Sequence, residues 1–295
     1  MSPAARNPGP SWGYRFLVAC DRVIPEPLFR PLRMIGTACA MLGMSAQRRH
    51  SRAYLALVLP HHPSWRDLWR HFFAFEEFLM LKLRVGRGRR QRTELAVSGL
   101  AFADFVVGSQ PALLGSFHLG HSDLLGFLLA DRYTRPVAMV RQRVANSHDV
   151  DQLLARFGGR MKIIWVNQAE NLLFALKDAL AGPDSLAMKC DRIEFTAKTA
   201  AFDFLGAKRE FPITIYYLAI IFTRPVIFSY GLPGGAGLTR IHGSAVWMPD
   251  ASLSRAANLE TAHAHFQGFL HQVEQALRQQ PYQWFNFTPL NPVVA

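Results

Sequence analysis

From about residue 12 to 83, apolar side chains recur at helical spacing. Ser64-Trp65-Arg66-Asp67 opens one helix with a serine cap and an acid three places on, and Leu68, Trp69, Phe72, Phe73, Phe75 and Phe78 follow along it. From residue 93 the pattern changes. Short apolar runs at 95–98, 112–117, 137–140, 163–166, 186–188 and 226–230 have the length of buried strands. Helical stretches at about 121–132, 147–157, 169–181 and 212–222 separate them, and an amphipathic helix over 258–279 closes the chain. Strand and helix in alternation predict an α/β fold, a mainly parallel central sheet flanked by helices. A helical, membrane-associating N-terminal segment precedes it. The domain reading is a frayed end over 1–11, a basic apolar helical segment over 12–92, an α/β domain over 93–288 and a tail over 289–295. The glycine-rich stretch 231–237 reads as a flexible turn, because no helix with phosphate-binding spacing follows it.

Charge adds a direction to this picture. The formal net charge is +12, and residues 1–100 carry +10 of it; only six of the 33 basic residues are lysine. A basic, apolar N-terminal third on a near-neutral body fits docking to a polyanionic surface, and arginine suits bidentate recognition of phosphate. Charge alone does not choose between anionic lipid and nucleic acid. Residues 84–92 hold five arginines, of which Arg87, Arg89, Arg90 and Arg92 are the candidate membrane or phosphate docking set. A solvated loop is the plain alternative. No nucleic acid is expected as a partner, since neither interleaved aromatics nor a recognised binding motif accompanies the cluster.

The longest uncharged apolar runs, 34–46 and 211–223, have 13 residues each, short of the roughly 17–25 of a spanning helix. Residues 12–46 therefore read as interfacial helices, with Trp12, Tyr14 and Phe16 as anchors and Arg15, Arg22, Arg30 and Arg33 facing headgroups. Three cysteines without metal-ligand spacing suggest a reducing compartment. Leu17-Val18-Ala19-Cys20 has the look of a lipoprotein box, but its apolar stretch is too short for a signal peptide.

Candidate chemistry gathers in Gly115-Ser116-Phe117-His118-Leu119-Gly120-His121-Ser122-Asp123, which leaves a buried strand and enters a helix. Active sites of open α/β sheets lie at such carboxyl ends. On a continuous helix His118 and Asp123 would diverge, so they meet only if the chain turns through Leu119-Gly120. Asp123 in the first helical turn stays ionised. It could then accept from one imidazole nitrogen and leave the other as a general base for a hydroxyl. His118 as a core histidine, and a metal site from His118, His121 and Asp123, are the alternatives. Leu119 and Leu124 stand where a di-zinc pattern needs histidines, so no metal is expected. No Gly-x-Ser-x-Gly elbow is present for a serine nucleophile. His121 reads as an acceptor-pocket residue.

His118-x4-Asp123 resembles the His-x4-Asp/Glu motif of glycerolipid acyltransferases. The order of the surrounding pieces is similar to the bacterial lipid A secondary (late) acyltransferases, the lauroyl and myristoyl transferases, over about 12–288. Those pieces are Leu113 to His118, Arg156-Phe157-Gly158-Gly159-Arg160, a strand ending at Asp191, Phe202 to Thr214 with Leu218-Ala219, and Pro281-Tyr282-Gln283-Trp284-Phe285. Each piece is common alone; their order carries the resemblance. The chain departs from the family at Phe285 to Pro289, where the family has Trp-x-His-Arg-Arg, and at Asp21, Pro25, Pro27 and Pro31, which interrupt the usual N-terminal membrane helix.

The resemblance implies acyl transfer from an acyl-carrier-protein or coenzyme A thioester to a hydroxyl of a lipid or glycolipid, at the cytoplasmic face of a bacterial inner membrane. His118 would be the base and Asp123 its orienting acid. Arg156 would serve an acceptor phosphate and Asp191 the polarity of the site, with Arg141 and His121 as further substrate-binding positions. No cofactor is implied. The rival class is a non-catalytic binder of anionic membrane or nucleic acid that uses 84–92.

Overall fold

The computed structural model describes residues 11–108, 110–126, 136–142, 159–166, 169–194, 196, 198–235 and 237–294. The N-terminal third is helical, as its spacing predicts: α1 (Ser11–Val23), α2 (Glu26–Gly43), α3 (Ser45–Val58) and α4 (Trp65–Gly86). Ser64 caps α4 in a capping box. Its hydroxyl accepts from the Asp67 N–H at 3.2 Å, and its own N–H donates to Asp67 Oδ2 at 2.9 Å. The inward face of α4 carries Leu68, Phe72, Phe73 and Phe78, while Trp65 and Phe75 remain exposed.

Nine strands follow among the described residues: β1 (Arg92–Leu95), β2 (Leu113–Ser116), β3 (Val137–Arg141), β4 (Met161–Trp165), β5 (Ser185–Lys189), β6 (Thr199–Phe204), β7 (Ala207–Pro212), β8 (Val226–Pro233) and β9 (Leu238–Gly243). Seven make one sheet in the order β1-β9-β8-β2-β5-β3-β4, parallel at every step except β8 with β9. The mainly parallel α/β architecture is therefore present among the described residues.

Three details differ from the sequence reading. The run 95–98 straddles the end of β1 and a 3-10 turn over Val97–Gly99, because this short edge strand sits three residues earlier. The stretch 231–237 is not a free turn. It includes the end of β8 and joins that strand to β9 as a hairpin. The antiparallel hairpin β6–β7 was not anticipated, since Leu205-Gly206 replaces the usual asparagine–glycine turn with left-handed φ of 51° and 77°. The expected helix over 147–157 lies outside the described residues.

Both sheet faces are covered. The closing helix Arg255–Gln279 brings Phe266, Phe269, Leu270 and Val273 against Phe117, Phe211 and Phe228. The helix Leu100–Val107 covers the other face through Phe102, beside Leu114 and Ile227. Tyr54, Leu55, Leu68 and Phe72 of the N-terminal helices belong to the same core as Trp284 and the sheet. They pack on the domain rather than standing apart from it.

Candidate active site

Strand β2 ends at Ser116, and His118 is the second residue beyond it. Register then decides what His118 meets. Ser116 pairs with Lys189 of the parallel neighbour β5, and the Cys190 N–H donates to the Ser116 carbonyl at 2.8 Å. Two residues past Lys189 the chain sets Asp191, fully buried, against His118. Asp191 Oδ1 accepts from His118 Nδ1 at 2.8 Å, and Oδ2 from the His118 backbone N–H at 3.0 Å. The Trp284 indole N–H donates to Oδ2 at 3.2 Å.

An ionised carboxylate only accepts, so Nδ1 carries the proton and Nε2 keeps its lone pair. The His118 side chain is 29% exposed, and Nε2 has no hydrogen-bond partner among the described residues. Burial lowers the His118 pKa; Asp191 pulls it back up, without overcoming burial and the charges of Arg192 and Lys189. Burial would raise the Asp191 pKa, but the His118 contacts and Arg192 hold it far below the usual carboxylate range. The result is a neutral imidazole, locked in one tautomer, beside a permanently charged acid.

The turn after His118 needs glycine. Gly120 has φ +48°, and a Cβ there would lie 2.4 Å from the Gly231 carbonyl oxygen. The C-terminal segment fixes this turn from outside. Gly120 N–H donates to Gln283 O at 2.6 Å, Phe285 N–H to His118 O at 2.7 Å, and Leu119 bridges Trp284.

Asp123 does not take the place expected from its spacing. Its Oδ1 meets Lys189 Nζ at 2.7 Å and its Oδ2 meets Lys82 Nζ at 3.2 Å. Burial would raise its pKa, but Lys189, Lys82 and Arg141 hold it well below the usual range. The imidazole's partner is Asp191, because the β2–β5 register delivers a carboxylate to Nδ1 directly. Asp123, on the helix that begins at Ser122, faces the lysines instead.

The other expected positions divide. His121 turns toward β9, where its Nδ1 pairs with Thr239 Oγ1 at 2.7 Å, and burial lowers its pKa to about 4. Arg141 ends β3, close enough for its charge to act on Asp123. Arg156 lies outside the described residues. Of the arginine cluster, Arg84 pairs with Asp21 and Glu26 and Arg87 with Asp21 at 3.4 Å, while Arg89 and Arg90 stay exposed and Arg92 opens β1. Sequence reasoning missed Lys82, Lys189 and the tie from Trp284. One signal was available: Lys189 and Asp191, two apart at a strand end, project to the same side.

No protein-family model matches the chain, and no curated protein matches it. Among solved structures, the 1-acyl-sn-glycerophosphate (LPA) acyltransferase PlsC from Thermotoga maritima is similar at 12% identity and a TM-score of 0.38. The match covers 86% of this chain and 99% of that one. At that distance the likeness carries no weight for this chain's chemistry, which follows from its own side chains.

Proposed function

We propose that the chain is an acyltransferase that moves a fatty acyl group from a coenzyme A or acyl-carrier-protein thioester to a hydroxyl of a lipid or glycolipid. The observation that carries this reading is the His118–Asp191 pair at the carboxyl edge of β2 and β5, on a partly exposed imidazole whose Nε2 has no partner among the described residues. His118 Nε2 takes the acceptor's hydroxyl proton as its oxygen attacks the thioester carbonyl. Asp191 holds the tautomer and stabilises the imidazolium. Positioned general-base catalysis is worth roughly 10²–10⁴-fold. His118→Ala should lose at least that in transfer from palmitoyl-coenzyme A or palmitoyl-acyl-carrier protein into extracted bacterial lipids, with unchanged circular dichroism. A wild-type chain that consumes neither thioester, or a fully active His118→Ala, would end this reading.

Membrane contact belongs to the same proposal, at the inner surface of a bacterial inner membrane. Leu28, Leu32, Ile35, Cys39 and Leu42 form an exposed apolar stripe along α2, each three or four residues from the next. The opposite face, Phe29, Arg33, Thr37 and Met41, is buried. Arg33 is therefore not a headgroup residue: it is 5% exposed and paired with Glu26 at 2.5 Å and Glu76 at 2.7 Å. Arg30 pairs with Glu77 at 2.9 Å, whereas Arg15 and Arg22 are exposed beside Phe16 and Val23. Trp12 and Tyr14 side chains lie outside the described set. Among the described residues no helix is long and apolar enough to cross a membrane. Each arginine near an anionic surface contributes about 1 kcal/mol, which salt screens. The protein should sediment with membranes at low salt and leave them at high salt; full solubility at low salt would overturn this contact.

A further inference from the structure

Acyl transfer needs more than a base. As the acceptor oxygen bonds to the thioester carbon, the carbonyl π pair moves onto oxygen, and a site that leaves this charge unmet is slow. Three backbone N–H groups of the His118 turn are committed elsewhere: that of His118 to Asp191, of Gly120 to Gln283 O, of His121 to Gly231 O. That puts weight on side-chain donors beside the turn.

Lys189 stands in the right place. It ends β5 two residues before Asp191, and its Nζ donates to the Phe117 carbonyl, immediately before His118, at 2.6 Å. Its Nζ also forms an ion pair with Asp123 Oδ1 at 2.7 Å. Its side chain is 25% exposed, and beyond these two contacts Nζ has no partner among the described residues. Asp123 is itself braced from the other side by Lys82 of α4. The Phe117 carbonyl and the Asp123 carboxylate aim the ammonium, and its exposed part can donate to a ligand.

We propose that Lys189, aimed by Asp123 and the Phe117 carbonyl, is a catalytic residue that receives the charge developing on the thioester oxygen. This inference rests on the acyl-transfer reading and gives Asp123 a task apart from the base. In the first step the acceptor oxygen bonds to the carbonyl carbon, His118 Nε2 takes its proton, and the oxyanion forms against Lys189 Nζ. In the second the oxyanion re-forms the carbonyl, the C–S bond breaks, and the thiolate takes the proton back from His118. Lys189 transfers no proton in either step.

The test uses the full chain with vesicles of phosphatidylethanolamine and phosphatidylglycerol, and decanoyl-coenzyme A labelled with carbon-13 at the carbonyl. In His118→Ala, whose slow turnover lets the bound thioester persist, the infrared carbonyl band of the bound thioester should lie below that of the free one. Adding Lys189→Met should restore the free position. In the otherwise wild-type chain, Lys189→Met should lower kcat for thioester cleavage about 10²–10³-fold with KM changed less than about twofold, and Lys189→Arg should recover part of the loss. If Lys189→Met does not fold, Asp123→Asn releases the ammonium and carries the same two measurements. A carbonyl band indifferent to Lys189, or a rise in KM alone, overturns the assignment while leaving acyl transfer standing. Failure of the wild-type chain to bind or cleave the thioester overturns both.

Discussion

Asp191 and Asp123 both lie beside His118, yet the fold surrounds them differently. Asp191 has no exposed surface and is held by N–H groups: the imidazole, the His118 backbone and the Trp284 indole. Asp123 is 24% exposed and is held by two ammonium groups. Each carboxyl is kept ionised, the first mainly by the imidazole and its bonds, the second mainly by Lys189. A depressed carboxyl pKa therefore does not reveal a role. The identity of the donor does: a carboxylate against an imidazole N–H sets a tautomer, and one against an ammonium aims a charge.

The largest effect that could break this contrast is on turnover. Asp191→Asn presents an amide N–H to Nδ1 and favours the tautomer whose Nε2 is protonated. It should cost about as much as His118→Ala, and the double variant should be scarcely worse than either. Asp123→Asn should multiply with His118→Ala instead, because it serves a different event. Single-turnover acyl transfer by both double variants measures this. Multiplicative losses for Asp191, or a plateau for Asp123, would exchange the two assignments.

The same pair shows what the sequence held and what it withheld. The strand ending before His118, the turn at Gly120, the Ser64 capping box and the helix over 169–181 were legible, because each depends on residues within a few places of one another. The partner of His118 was not. His118 and Asp191 are 73 residues apart, and only the alignment of β2 with β5 brings them together. Spacing pointed to Asp123 since a motif six residues long is all that local inspection can join. On α2 the difficulty was different. Both faces carry apolar side chains, so periodicity did not tell which arginines faced outward, and Arg33 lies in the interface with α4.

A smaller effect sharpens the contrast through pH. The His118 pKa is lowered, so the acid limb of kcat/KM should lie below that of an ordinary histidine, where protonation removes the base. Asp191 raises that pKa and Lys189 lowers it. Asp191→Asn should move the acid limb further down, and Lys189→Met should move it up. Shifts of the same sign would mean that the two groups do not act on His118 from opposite sides.

The smallest effect concerns Trp284, which shares Asp191 with His118. Trp284→Phe keeps an aromatic ring against Tyr54 and Phe204, centroids at 5.0 and 5.7 Å, and removes one N–H donor from a carboxylate that water does not reach. With one donor fewer, the negative charge on Asp191 is less satisfied and competes harder for the imidazolium. The His118 pKa should therefore rise. A hydrogen bond to a charged group is worth about 1.5–3 kcal/mol and only part of it distinguishes the two states of His118, so the rise should be roughly half a pH unit to one unit. Turnover at pH 8, where His118 is neutral in either protein, should fall less than about tenfold. Nitrogen-15 NMR titration of the imidazole reads this directly and needs no substrate. An unmoved midpoint would mean that the 3.2 Å contact does not tune Asp191, and that Trp284 only packs the turn.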